Sequence, residues 1–150
     1  MAEKNFAKVL FVEDSKNEYH LNLMILRREN AEVKMDHVRD GIEALEYLNK
    51  KNKYQDLKDY PDLILLDQRL ITMDGDQVLK HIQDNKKLRE IPVVMFSGVV
   101  NQEEAEKYLK LGASGFYDKP INFDKLSQVV KEIKTLEFVE ENGKKYLCRK

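Results

Sequence analysis

The segment PDLILLDQRLITMDG, residues 61–75, places a carboxylate where a buried strand would end. Its apolar run stops at Asp67, and a polar stretch follows directly. Burying an ionised carboxylate is unfavourable unless another group pairs with it. Asp67 is therefore a candidate for chemistry, and its partners are expected at the ends of other strands.

Other apolar runs of strand length also end in polar residues. KVLFV is followed by Glu13 and Asp14, IPVVMFS ends on Ser97, and SGFYD is followed by Lys119. If these runs lie side by side, three carboxylates meet a lysine and a hydroxyl, and the carboxylates repel one another unless a cation neutralises them. Oxygen ligands suit Mg²⁺, and the set has no Cys or His for zinc. We therefore predict a phosphoryl-transfer site with a carboxylate nucleophile and Mg²⁺ as cofactor.

Taken singly, each of these residues also has a purely structural explanation. Glu13 and Asp14 would favour the N-terminus of a following helix, and a turn or loop position would account for Asp67, Ser97 or Lys119. The functional interpretation depends on all of them meeting at one place.

Two apolar patterns alternate along the chain, short runs of strand length and longer segments with helical spacing. Three helix starts carry a capping-box pattern, in which Glu follows the N-cap residue by three positions. Asn122 begins the last helix, which has an apolar stripe. The strand candidates are KVLFVED, EVKMDHV, DLILLD, IPVVMFS and SGFYD; the capping pairs are Ser15 with Glu18, Asp40 with Glu43 and Asn101 with Glu104; the stripe is Leu126, Val129, Val130 and Ile133.

Five strands alternating with five helices predict an α/β fold with a five-stranded parallel sheet, covered on both faces by right-handed crossovers. Such doubly wound sheets bind ligands beyond the carboxyl ends of their strands, where the candidate residues would lie. We expect a single domain over residues 1–150 with its core at about 7–137.

Two stretches fall outside the alternation. Residues 49–61 form a long charged connection, for which a solvated insertion is the simplest explanation. The tail at 138–150 contains Asn142-Gly143 between two β-prone runs, which favours a hairpin, and a frayed helix end is the open alternative.

Composition limits the classes of function. The 150 residues carry a formal net charge of −1, so no global field favours nucleic acid or an anionic membrane. The single cysteine, Cys148, excludes an internal disulfide, and no leader or membrane-spanning segment is evident. We expect a cytoplasmic protein without membrane or direct DNA binding.

The candidate residues and their spacing resemble the receiver domain of bacterial two-component response regulators over residues 7–137. Asp67 and Ser97 are 30 positions apart and Ser97 and Lys119 are 22 apart, as in that family. The resemblance implies a flavodoxin-like (βα)5 fold and a signalling switch rather than an enzyme. One departure is Ile71, where the family usually has proline.

The resemblance also implies a role for each site residue. Asp67 would accept a phosphoryl group from a histidine kinase or a phosphotransfer protein. Asp14, Asp67 and the backbone carbonyl of Arg69 would bind Mg²⁺, with Glu13 acting mainly through a water. Lys119 would pair with the phosphoryl group.

The same resemblance implies a conformational switch. Ser97 would move to hydrogen-bond the phosphoryl group, and Phe116 would turn inward in response. The peptide bond before Pro120 is expected to be cis. The changing surface would comprise the fourth helix, the strand before Lys119 and the fifth helix, and would include Tyr108, Phe116 and Tyr117.

The long connection and the lack of an output domain look most like stand-alone receivers of the phytochrome-associated type. Output would then pass to a downstream protein target, with a homodimer as a further expectation. The serious alternative is a pseudo-receiver that acts as an adaptor without phosphorylation. A haloacid-dehalogenase-type phosphatase would need an acid where Arg69 stands, and a nucleotide-binding domain would need glycine in VEDSKNE.

Overall fold

A computed structural model describes residues 5–150 of the chain. Its eight strands are β1 (Lys8–Val12), β2 (Ala31–Glu32), β3 (Lys34–Val38), β4 (Leu63–Asp67), β5 (Val93–Ser97), β6 (Gly115–Asp118), β7 (Leu136–Glu141) and β8 (Lys144–Arg149). Its five α-helices are α1 (Lys16–Arg28), α2 (Gly41–Leu48), α3 (Gly75–Asp84), α4 (Gln102–Lys110) and α5 (Phe123–Lys131). Within residues 5–150, no helix has both the length and the apolar character needed to cross a membrane.

The main sheet is parallel, and its strand order is β3-β1-β4-β5-β6. This confirms the predicted five-stranded α/β sheet. Strand β4 lies at the centre, and its register pairs Val12 with Leu66 on one side and Asp67 with Phe96 on the other. All five residues of β4 are buried, so the sheet delivers Asp67 to the middle of its carboxyl edge.

Alternate side chains of the strands build one apolar cluster on each face of the sheet. Leu10, Ile64 and Met95 face the cluster that α2, α3 and α4 cover. Phe11 and Leu65 face the opposite cluster, which α1 and α5 cover. Because these strands are buried on both faces, their sequences are nearly continuous apolar runs.

The chain ends in the predicted hairpin, and the alternative of a frayed helix end is wrong. Strands β7 and β8 pair antiparallel from Leu136 opposite Arg149 to Glu141 opposite Lys144. Asn142 and Gly143 have φ values of 53° and 79°, the left-handed pair that a type I′ turn requires. The hairpin begins at Leu136, two residues before the expected tail.

The predicted strand EVKMDHV is wrong at its start. Ala31 and Glu32 form β2, which pairs with β8, while only Lys34–Val38 joins the main sheet as β3. The sequence could not reveal this division because β2 depends on an edge supplied by the distant hairpin. On the same side of β8, the amide of Ala7 donates to the carbonyl of Leu147 at 3.0 Å.

Two further boundaries differ from expectation. The connection at 49–61 contains a 3₁₀ turn at Asn52–Tyr54, and Tyr54, Leu57 and Tyr60 pack against the apolar core, so it is more than a solvated insertion. The last helix ends at Lys131, although Ile133 beyond it still packs into the core.

Candidate functional site

Asp67 and Lys119 form an ion pair at the carboxyl edge of the sheet. The Lys119 Nζ lies 2.9 Å from Asp67 Oδ2 and 3.0 Å from Glu13 Oε1. The backbone amide of Lys119 donates to the carbonyl of Ser97 at 2.9 Å, which fixes the lysine beside β5. The bond between Lys119 and Pro120 is cis, as expected. Lys119 therefore contacts Asp67 and Glu13 through its side chain and Ser97 through its backbone, so four of the predicted residues lie together.

The electrostatics of this group are dominated by burial. Glu13 has no solvent exposure, and burial, assisted by Asp67 and Glu18, raises its pKa to about 9 against the opposing effect of Lys119. Burial also disfavours the charge on Lys119, but Asp67 and Glu13 outweigh it, so the lysine pKa lies above its usual value. The raised pKa means that Glu13 resists ionisation here, because it is buried and three acidic groups crowd around one lysine.

The residues present fit a divalent cation. Carboxylate oxygens of Glu13, Glu18 and Asp67 lie within 4.8 Å of one another. Oε2 of Glu13 is buried and has no hydrogen-bond partner among residues 5–150, so it remains available as an acceptor. Asp14 is half-buried and lies outside that close group, but it lines the same cavity as Asp67.

This cavity has a volume of about 290 Å³ and opens beyond the strand ends. Its lining combines the predicted residues with the loop that follows β5: Asp14, Asp67, Arg69, Ser97, Gly98, Val99 and Lys119. Val99 is 77% exposed and Ile71, in the loop after β4, is 79% exposed. A small polar group thus has access to Asp67 from solvent.

Glu18 belongs to the site, although its sequence pattern indicates only a capping residue. Its Oε2 lies 3.1 Å from Lys119 Nζ, and contacts with Glu13 and then Lys119 lower its pKa. The available signal was its position in the first turn of α1, four residues after Asp14, because a helix starting at the strand edge turns that residue back towards the site.

Asn22 is a second residue that sequence reasoning missed. It is 2% exposed in α1; its side-chain amide donates to the carbonyl of Glu18 at 2.8 Å, and its Oδ1 accepts from the amide of Ile121 at 2.7 Å. Asn22 therefore anchors the segment just after Lys119 to α1. A polar residue on an otherwise apolar helix face is the only sign of this role in the sequence.

Ser97 is bound by its own loop. Its Oγ donates to the carbonyl of Val99 at 2.8 Å and accepts from the amide of Val99 at 3.3 Å. The ring of Phe116 is half-buried, and its centroid lies 5.5 Å from that of Tyr108. Tyr108 was expected on an interaction surface, but it is only 3% exposed because α4 turns it into the core.

Comparison with known proteins gives one family. A model described as "Response regulator receiver domain" matches residues 9–131. Response regulator Rcp1 from a Synechocystis species is 32% identical over 134 residues, which cover 89% of this chain and 90% of Rcp1.

Solved structures agree with that match. The Mn²⁺-bound form of Rcp1 superposes with a TM-score of 0.68 at 30% identity, covering 86% of this chain and 92% of that one. The bacteriophytochrome response regulator AtBRR superposes with a TM-score of 0.80 at 29% identity, covering 91% and 98%. The resemblance to phytochrome-associated regulators is thereby confirmed.

Proposed function

The chain belongs to the response regulator receiver domain family, and from this premise we propose that Asp67 accepts a phosphoryl group from a histidine kinase or a phosphotransfer protein. The single observation that carries the proposal is the contact of buried Asp67 with Lys119 at 2.9 Å in a solvent-open cavity. Receiver domains of two-component systems act as signalling switches and are generally not classed as enzymes.

The transfer forms one bond and breaks one. A carboxylate oxygen of Asp67 bonds to phosphorus while the bond from phosphorus to the donor's histidine nitrogen breaks, and its electron pair returns to the imidazole. Lys119 offsets the charge that develops on the phosphoryl oxygens. Ser97 donates its hydroxyl to one of those oxygens after it releases the carbonyl of Val99.

Mg²⁺ is the cofactor that we propose for this step. Asp14, Asp67 and the carbonyl of Arg69 would hold it, with Glu13 contributing through a water. When bound, the ion would supply positive charge to the phosphoryl oxygens. The acidic donor set and the unpartnered oxygen of Glu13 support the assignment, as does the similarity to Rcp1, whose structure has a Mn²⁺-bound form.

Output is proposed to follow from the movement of Ser97 and Phe116. Their displacement would alter the surface formed by α4, β6 and α5, which a downstream protein target would recognise. With Tyr108 buried, Phe116 and Tyr117 of β6 are half-exposed aromatic groups available there. We also propose that this single domain, including its hairpin, forms a homodimer and does not bind DNA directly.

Intact-protein mass after incubation with acetyl phosphate and Mg²⁺ tests the proposal. We expect one added phosphoryl group on the wild type and none on Asp67→Asn. Asp84→Asn, which removes an exposed carboxylate at the end of α3, is the matched control and should be modified like the wild type. A folded, metal-binding wild type without an adduct would favour the alternative, a phosphorylation-independent adaptor.

A further inference from the structure

Gln68 links the phosphorylation site to α4. It follows Asp67 directly and is only 7% exposed. Its backbone amide donates to the carbonyl of Phe96 at 2.8 Å, and its carbonyl accepts from the amide of Gly75 at 2.9 Å. Because both backbone groups are held, the Gln68 side chain projects from a fixed point beside the acceptor aspartate.

The side-chain amide of Gln68 donates to the carboxylate of Glu104 in the first turn of α4. A capping box would turn Glu104 back to the amide of Asn101. Here Asn101 caps the helix through its own Oδ1, which accepts from the amides of Glu103 at 2.8 Å and Glu104 at 3.4 Å. The carboxylate of Glu104 instead binds Gln68, and we name this hydrogen bond the α4 latch.

The α4 latch lies beside the short loop whose backbone Ser97 now binds. Only residues 98–101 separate Ser97 from the start of α4. Ser97 Oγ now donates to the carbonyl of Val99, and it can donate to a phosphoryl group on Asp67 only after breaking that bond. If that loop moves when the bond to Val99 breaks, it would carry the first turn of α4 with it, and the latch ties that turn to Gln68.

The latch is also a bond that can be released. Oε1 of Gln68 is buried without a hydrogen-bond partner among residues 5–150. An unpaired buried acceptor is unfavourable, so the closed arrangement gains less than a fully satisfied amide would give. One turn further along α4, Tyr108 contacts the expected switch residue Phe116. The helix is therefore held at one turn by Gln68 and at the next by Phe116.

We propose that the hydrogen bond between Gln68 and Glu104 holds α4 in the unphosphorylated arrangement and opposes phosphorylation of Asp67. This inference rests on the proposed function and adds a regulatory contact to it. An interaction present in only one of two states shifts the equilibrium towards that state. Removing the latch should therefore raise the population that accepts the phosphoryl group, and with it the rate of modification.

The test uses two variants that break the latch and one matched control variant that leaves it intact. Gln68→Met removes the donor at similar volume, and Glu104→Ala removes the acceptor. Glu103→Ala removes the same charge from the same helix turn but leaves the latch intact. The initial rate of phosphoryl incorporation from acetyl phosphate is followed by intact mass, and amide hydrogen exchange of α4 is measured without any phosphodonor.

We expect both latch variants to be modified roughly tenfold faster than the wild type, with faster exchange in α4, and the double variant to be no faster than either single variant. Glu103→Ala should match the wild type in both measurements. Latch variants that match Glu103→Ala in rate would overturn the inference. If the wild type takes up no phosphoryl group, the proposed function fails, and unchanged α4 exchange in Gln68→Met and Glu104→Ala would then overturn the latch on its own.

Discussion

At the scale of single residues, the defining feature is one lysine shared by three carboxylates. Lys119 contacts Asp67, Glu13 and Glu18 at 2.9 to 3.1 Å. One positive charge cannot satisfy three ionised carboxylates, so buried Glu13 resists ionisation, and a second cation would favour its charged form. Glu18 is the exposed member of the group, with 49% of its side chain accessible, so it can change partner without loss of core packing.

We predict that Glu18→Gln weakens Mg²⁺ binding by roughly threefold to tenfold, because it removes a partly screened negative charge beside the ligands. Isothermal titration with Mg²⁺ measures the dissociation constant directly. Glu90→Gln removes an exposed charge elsewhere and should leave binding unchanged. Equal affinities for Glu18→Gln and Glu90→Gln would show that Glu18 takes no part in the site.

At the scale of elements, the Glu residues in the first turns of three helices bind groups outside their own helix. The three predicted N-cap residues each accept from the amide of the expected Glu, but the three Glu side chains do not return to the cap. Glu18 reaches Lys119, Glu43 accepts from the amide of Arg39, and Glu104 reaches Gln68. The cap pattern thus predicts where a helix begins, while tertiary contacts decide what its Glu binds.

The Glu43 contact should make stability depend on pH. Burial opposes ionisation of Glu43, but Lys53, the Arg39 amide and Tyr54 outweigh burial and lower its pKa to about 2, below the ordinary value of 4.5. A lowered folded-state pKa contributes stability that is fully present above the unfolded-state value and is lost as pH falls towards 2.

We therefore predict that Glu43→Gln lowers the free energy of unfolding by about 1–2 kcal/mol at pH 7, and that this difference shrinks as pH falls from 5 to 3. Urea unfolding at several pH values measures it. Glu106→Gln, an exposed change on α4, is the control and should cost little at any pH. A difference for Glu43→Gln that stays constant with pH would contradict the account.

The sequence was sufficient for elements whose signals are local. Apolar runs located the five strands of the main sheet, and Asn142-Gly143 located the hairpin turn because both positions need positive φ. The sequence was insufficient where a contact with a distant segment of the chain decides the local structure. Strand β2 exists only against β8, and Glu18 and Asn22 join the site only because α1 packs beside Lys119.

At the scale of the whole molecule, the hairpin shares the core of the main sheet. Leu136 and Leu147 are each 1% exposed and belong to the apolar cluster that includes Phe11 and Leu65. Strand β8 is also bonded to Ala7 just before β1 and to β2 just after α1. These contacts favour one cooperative unit over a core with an independent tail.

We predict that Leu147→Ala lowers the stability of the whole chain by about 2–5 kcal/mol while unfolding remains a single transition. Denaturant unfolding followed both by circular dichroism and by tyrosine fluorescence measures it. Leu109→Ala, at a position 47% exposed, provides the matched control and should cost much less. Two separate transitions, or a loss confined to the hairpin, would contradict a shared core.

The central claim is that Asp67 forms the phosphoryl bond, and trapping the acyl phosphate tests it most directly. Borohydride reduces an aspartyl phosphate to homoserine, which peptide mass spectrometry locates in the sequence. After treatment with acetyl phosphate and Mg²⁺, we predict homoserine at position 67 and at no other acidic residue, and none without the phosphodonor. Homoserine at another position, or its absence from protein that carries the added mass, would contradict the claim.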